Sequence, residues 1–272
     1  MEKFSVLMSL YIKEKPEYLN ACMESIFLQT VLPSEIVVVL DGPITEELQA
    51  VLDRYRQAHP ELIRLVPLEQ NRGLGLALAE GLLHCSNELV ARMDTDDICK
   101  IDRFEKQLAE FEKNPELDIC GSHIAEFETD PKAIKGIRKV PLANQDIRQY
   151  QKKRDGFNHV TVMFRKSTVL RAGNYQHAHL MEDSLLWCNM FKAGAVGMNI
   201  DECLVVVRAG DEMIARRGGY SYFLKYREGR RKILQTGYIS KRDYYQTLAV
   251  QLVVALVPAK VRLFIFKKLL RR

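Results

Sequence analysis

Met93-Asp94-Thr95-Asp96-Asp97 sets three carboxylates within four positions, at the end of the apolar run Glu88–Met93. Like charges this close repel unless a cation or a proton offsets them. A divalent ion that prefers hard oxygen ligands, Mn²⁺ or Mg²⁺, is the natural partner. Carboxylates and diphosphate oxygens together complete such a site, and the ion then stabilises a departing nucleoside diphosphate. The alternative is a solvated acidic turn that caps the next helix.

Other residues bear on the same chemistry. Asp41 follows the β-branched run Ile36–Leu40 and stands before Gly42. Its carboxylate either accepts a hydrogen bond from a nucleobase N–H or belongs to an ordinary Asp-Gly turn. Gln70–Gly75 opens a helix, so its N-terminus, Asn71 and Arg72 could face a diphosphate. The glycines there are not a dinucleotide fingerprint, because they do not follow the first strand and position 78 is Leu. Glu182-Asp183 begins a helical pattern, and Asp183 is either a cap or a general base. Arg216-Arg217-Gly218-Gly219 suits a loop closing over phosphates, or a solvated turn. His159 either faces an acceptor or is a satisfied structural histidine.

The elements that must position these residues alternate. Phe4–Leu10, Glu35–Leu40, Leu62–Leu68, Glu88–Met93 and Asp118–Phe127 read as strands. Between them Pro16–Leu28, Thr45–Ala58, Gly73–His84 and Asp102–Lys113 read as helices, with Thr45 an N-cap. That order predicts a mostly parallel, Rossmann-like sheet flanked by helices. Such sheets bind ligands at the carboxyl ends of their strands. Ser9, Tyr11, Asp41, Asn71, Arg72, Asp94, Asp96 and Asp97 fall there. The later chain is less regular, with a helix from Glu182 and a strand at Leu204–Val207.

The net charge is +5, yet the six cations between Lys260 and Arg272 carry all of the excess, since 34 basic residues remain against 35 acidic ones. A nucleic-acid partner is therefore not expected, because that calls for a basic face on the folded body. An anionic membrane surface fits the tail, where Val261, Leu263, Phe264, Ile265 and Phe266 interleave with the cations. No two of the six cysteines form a C-x-x-C pair, so neither zinc nor a disulfide framework is expected. Met1-Glu2-Lys3 runs straight into a strand, which predicts a cytoplasmic protein without a signal peptide.

Together these residues resemble the family 2 glycosyltransferases of the GT-A fold. Phe4–Tyr11 is similar to the family's opening strand. Glu35–Gly42 is similar to its second, with Leu40 and Pro43 departing from the usual Asp-Asp-Gly-Ser. Asn71-Arg72-Gly73-Leu74, Asp94–Asp97 and Glu182-Asp183 resemble the next three motifs. The resemblance implies that Asp41 binds uracil and that Asp96 and Asp97 hold the ribose and the metal. It implies that Asp183 deprotonates the acceptor hydroxyl, with inversion at the anomeric carbon. Phe157–Lys166 and Arg216–Gly219 resemble the amylovoran-type subgroup, which builds exopolysaccharide and O-antigen repeat units. Ser9, Tyr11, Asp41, Asn71, Arg72, Asp94, Asp96, Arg216 and Arg217 would then bind the donor, and His159 and Glu182 the acceptor.

The expected function is transfer of a hexose, galactose or glucose, from a UDP-sugar to a polyprenyl-diphosphate-linked sugar. The expected place is the cytoplasmic face of the bacterial inner membrane. A Q-x-x-R-W motif of processive enzymes is not seen, so one transfer per encounter is expected. The expected organisation is a GT-A domain over 1–215, with a nucleotide half (1–100) and an acceptor half (101–215). A basic loop and amphipathic membrane-associating helical extension follow over 216–272. A sugar nucleotidyltransferase would carry a glycine-rich loop after the first strand, and Ser9–Pro16 has no glycine. A non-catalytic sugar-nucleotide or glycan-binding module would need neither the acidic cluster nor Asp183.

Overall fold

The apolar runs become strands and the amphipathic segments cover them. A computed structural model describes residues 2–210 and 218–257. The first half runs β1 (Phe4–Leu10), α1 (Pro16–Phe27), β2 (Glu35–Leu40), α2 (Glu46–Ala58), β3 (Ile63–Pro67), α3 (Leu74–His84), β4 (Leu89–Arg92), β5 (Ile98–Cys99) and α4 (Arg103–Lys113). There follow β6 (Ile119–Phe127), β7 (Gly136–Arg138), α5 (Asn144–Gln151), a 3₁₀ turn (His159–Thr161), β8 (Met163–Arg165), α6 (Lys166–Arg171), α7 (Glu182–Lys192), β9 (Gly197–Arg208), α8 (Tyr220–Gln235) and α9 (Lys241–Leu256).

The strands form one sheet in the order β3-β2-β1-β4-β8-β6-β9-β5, with β7 on β6. The expectation of a mostly parallel sheet needs correction. β1 to β4 are parallel, as is β6 with β9, but β8 runs antiparallel between β4 and β6. β5 and β7 are antiparallel to β9 and β6. A short apolar run such as Met163-Phe164 announces a buried strand but not its direction, which is set by the partners it meets. Register shifts between β6 and β9 at Ser122–Ile124 add a bend to this mixed sheet.

Helices α1, α2 and α4 close one face through Leu19, Ile26, Leu48, Leu52 and Phe104. Helices α3 and α7 close the other through Leu78, Leu82, Leu186 and Phe191. Gly81 lets α3 sit directly on the sheet, since a Cβ there would lie 2.4 Å from Val39 and 2.5 Å from Leu7. Helix α8 packs on α7 through Met181, Leu185, Cys188 and Ile233. Buried Arg230 ties it further, donating to the Lys152 carbonyl (2.7 Å) and to Thr247 Oγ1 of α9 (3.1 Å).

Strand β9 is longer than the expected Leu204–Val207, because polar Asn199, Asp201 and Glu202 interrupt its apolar pattern. All six cysteines are free thiols. On α9, Tyr245, Val250, Val253 and Leu256 are each more than 60% exposed. No helix among the described residues is long and apolar enough to cross a membrane. Arg216, Arg217 and the cationic tail from 258 onward lie outside the described residues.

Candidate active site

Because β1, β2, β3 and β4 are parallel, their following residues gather at one edge. The Asp41 N–H donates to the Leu10 carbonyl (2.8 Å), so Tyr11 and Asp41 leave the sheet side by side, just past Ser9. Asp41 is buried, and its carboxylate is held by the segment after β3. It accepts from Asn71 Nδ2 (2.9 Å), the Arg72 N–H (2.6 Å) and the Gly73 N–H (3.0 Å). Two carboxylate oxygens offer about four lone-pair sites, so three are taken and about one, on Oδ1, is left. Gly42, at φ +87°, allows the approach, since a Cβ would lie 2.8 Å from Asn71 N. The Arg72 side chain is exposed at this edge.

The acidic triplet leaves β4 at the same edge. One ligand oxygen from each of Asp94, Asp96 and Asp97 can be chosen within 4.8 Å of the others. Asp97 is buried and accepts the Arg208 N–H (2.8 Å). Burial, with Asp94 and Glu14 beside it, pushes Asp96 up to about 7. Burial, with Asp96 and Asp94, raises Asp97 well above the usual carboxylate range. Glu14 accepts from Thr95 Oγ1 (2.6 Å) and adds a fourth carboxylate to the surroundings. Three close oxygens with this excess of negative charge fit a hard divalent cation.

The turn that carries the triplet is anchored from below. Fully buried Arg103 donates from Nη2 to the Arg92 carbonyl (2.8 Å). Cys22 donates from Sγ to the Asp94 carbonyl (3.1 Å). Gln107 Nε2 donates to the Cys120 and Thr161 carbonyls, both at 2.8 Å, and so fastens α4 to β6 and to the 3₁₀ turn.

Helix α7 brings the other group of residues. Asp183 Oδ1 accepts the Ser184 N–H (2.7 Å). Burial pushes its carboxyl up to about 7, and the Asp155 carboxylate adds to the rise. Tyr175 lies where the charges of Arg92, Asp183 and Asp94 all act on it. His159 shares a 2.9 Å hydrogen bond with the Tyr175 hydroxyl and packs edge-on to Trp187. Burial and the Arg92 cation push His159 well below the usual imidazole range. Glu182 lies against the first turn of α3, where a Cβ on Gly75 would come within 2.6 Å of its Cγ. Burial raises its carboxyl too.

The fold therefore gathers Ser9, Tyr11, Asp41, Asn71, Arg72, Asp94, Asp96 and Asp97 at one edge. His159 meets Tyr175 through its hydrogen bond, and Asp183 stands in the first turn of α7. Sequence reasoning passed over Glu14, Arg92, Asp155, Tyr175 and Arg208. Only Arg92, a charge closing the apolar run Leu89-Val90-Ala91, carried a local signal.

This curled mixed sheet with an acidic triplet after β4 defines a GT-A-like α/β protein. Residues 5–172 match Glycosyl transferase family 2. The chain is 42% identical over 268 residues to the amylovoran biosynthesis glycosyltransferase AmsE of Erwinia amylovora, covering 97% of this chain and 98% of that one. It is 39% identical over 270 residues to an Escherichia coli UDP-Gal:alpha-D-GlcNAc-diphosphoundecaprenol beta-1,3-galactosyltransferase, covering 99% and 97%. Among solved structures, the Pyrobaculum calidifontis mannosyltransferase PcManGT, in complex with GDP-Man and Mn²⁺, matches at TM-score 0.65 and 15% identity, covering 96% of this chain and 72% of that one. S. aureus TarS matches at TM-score 0.62 and 19% identity, and this chain spans 41% of its length. The chain belongs to glycosyl transferase family 2 and is a glycosyltransferase.

Proposed function

We propose that the enzyme moves a hexose, galactose or glucose, from a UDP-sugar to a polyprenyl-diphosphate-linked sugar, with inversion at the anomeric carbon. The observation that carries this is a juxtaposition. A carboxylate triplet whose ligand oxygens lie within 4.8 Å of one another leaves the sheet at the same edge as the Asn71–Gly73 segment clamped by Asp41, in a chain that matches family 2 over residues 5–172. The named activity of the Escherichia coli relative supports the donor and acceptor kinds.

Asp183 takes the proton from the acceptor hydroxyl as its oxygen attacks the anomeric carbon. A base with a pKa near 7 is matched to that work at neutral pH. Asp96 and Asp97 would hold Mn²⁺ or Mg²⁺, whose charge stabilises a departing nucleoside diphosphate. Asp41 orders the Asn71–Gly73 segment beside the donor, and Arg72 offers a cation there. Holding the two substrates in reacting geometry would supply much of the remaining acceleration.

In this reading, residues 1–215 are the catalytic unit and 216–272 the membrane-associating extension. Arg216 and Arg217 would close over the diphosphate. The exposed apolar side chains of α9 and the six cations that follow support a peripheral place on the anionic cytoplasmic leaflet. The test is UDP release with UDP-galactose and UDP-glucose on a lipid-diphosphate-linked GlcNAc acceptor, with product mass identifying the sugar. No transfer from either donor would count against the reading.

A further inference from the structure

Arg92 closes β4, two residues before Asp94. Its side chain is 1% exposed, and its Nη2 pairs with Asp94 Oδ1, while the Asp94 side chain is 38% exposed. Nε and Nη1 of Arg92 are buried with no hydrogen-bond partner. A guanidinium held out of water by one ion pair, with two donors unmet, costs stability. The neighbouring strand positions Val90 and Ala91 are plain apolar residues. An arrangement this unfavourable points to what Arg92 does to Asp94.

Arg92 treats the three carboxylates unequally. Asp94 has a fixed cation, whereas Asp97 has only the Arg208 backbone N–H, and no side-chain cation pairs with Asp96 among the described residues. A divalent ion entering the cluster must compete with Arg92 for Asp94, but among the described residues meets no ion-paired cation at Asp96 or Asp97. Arg92 engages Oδ1, and Asp94 Oδ2 has no donor among the described residues. A sugar hydroxyl is a donor of the kind that oxygen can take.

We propose that Arg92 is a positioning residue that sets donor-sugar specificity: it withholds Asp94 from the metal and fixes its free oxygen to accept a hydroxyl of the transferred sugar. Asp96 and Asp97 are left to the cation. The inference rests on the UDP-sugar reading above. It separates the nucleotide's affinity, which Arg92 leaves alone, from the sugar's contribution, which it controls.

The experiment is calorimetry on the full chain with Mn²⁺ alone, and with UDP, UDP-galactose and UDP-glucose in the presence of Mn²⁺. Wild type is compared with Arg92→Met, Arg92→Lys and Asp94→Asn. Arg92→Met should bind Mn²⁺ as well as wild type or more tightly, and UDP nearly unchanged. Its affinity for the UDP-hexose should fall by about 10- to 100-fold, the scale of one hydrogen bond to a charged group. KM for that donor should rise accordingly. Asp94→Asn should reproduce the split, and Arg92→Lys should recover part of the loss. Equal losses of UDP and UDP-hexose, weakened Mn²⁺ binding, or wild-type behaviour of Arg92→Met would each overturn the inference. Should Arg92→Met not fold, Arg92→Lys and Asp94→Asn decide it by the same split. Wild-type protein that binds no UDP would instead overturn the donor reading, and this inference with it.

Discussion

The Gly73 N–H donates to the Asp41 carboxylate at 3.0 Å, joining the end of β2 to the start of α3 across 32 positions of sequence. With Asn71 and Arg72 donating to the same carboxylate, Asp41 acts as the clamp of this corner. Asp41→Ala would release all three donors. We predict that UDP affinity falls by about 10-fold or more, with a stability loss of about 1 kcal/mol from the hydrogen bonds lost at this partly exposed corner. Calorimetry with UDP and a thermal melt measure both. A variant that binds UDP like wild type would show that the clamp does not serve the nucleotide.

A second prediction concerns metal and pH. Asp96 sits at about 7, above its ordinary 3.8, and Asp97 is raised as well. A raised carboxyl contributes stability that is fully present below the unfolded value and lost as pH climbs through the folded one. Metal-free protein should therefore lose this contribution between about pH 4 and pH 7. A divalent ion binds the deprotonated carboxylates, so the Mn²⁺-induced rise in melting temperature should be small at pH 5 and larger at pH 8. Asp96→Ala and Asp97→Ala should abolish both that rise and turnover, and excess chelator should abolish turnover in wild type. Full activity in chelator, or a Mn²⁺ shift that ignores pH, would contradict this.

Asp183 makes a separable prediction. Asp183→Asn keeps the size but removes the base. Turnover should fall by roughly 10²–10⁴-fold while UDP affinity holds. In wild type, kcat should climb with pH and level off above about 7, following the Asp183 carboxyl. The variant should lack that limb. A near-normal rate would remove Asp183 from the chemistry and leave Glu182 as the next carboxylate to test.

The membrane proposal is best tested by cutting at 258. Removing residues from 246 onward would take away Thr247, the partner of buried Arg230 Nε, and so disturb α8. Removing 258–272 deletes six cations and leaves α9 whole. At about 1 kcal/mol for each cation near an anionic surface, binding to phosphatidylglycerol vesicles should fall sharply while the melting temperature holds. Unchanged vesicle binding would count against a membrane-bound tail.

The sequence by itself determined the first four strands, their helices and the edge where the polar residues gather. The reason is local. β-branched runs, helical spacing, the Thr45 cap and three adjacent carboxylates are all written within a few positions of each other. Strand polarity past β4 was not written there, because Met163 and Phe164 are buried in either direction and only β4 and β6 decide between them. Nor was the use of Asp41, whose partners lie 30 to 32 positions away. The tertiary structure alone decided that buried Arg92 turns to the partly exposed Asp94, and that burial, with Asp155, raises Asp183. Charge interactions of this kind depend on distance through space and on the exclusion of water, and neither is a property of neighbours along the chain.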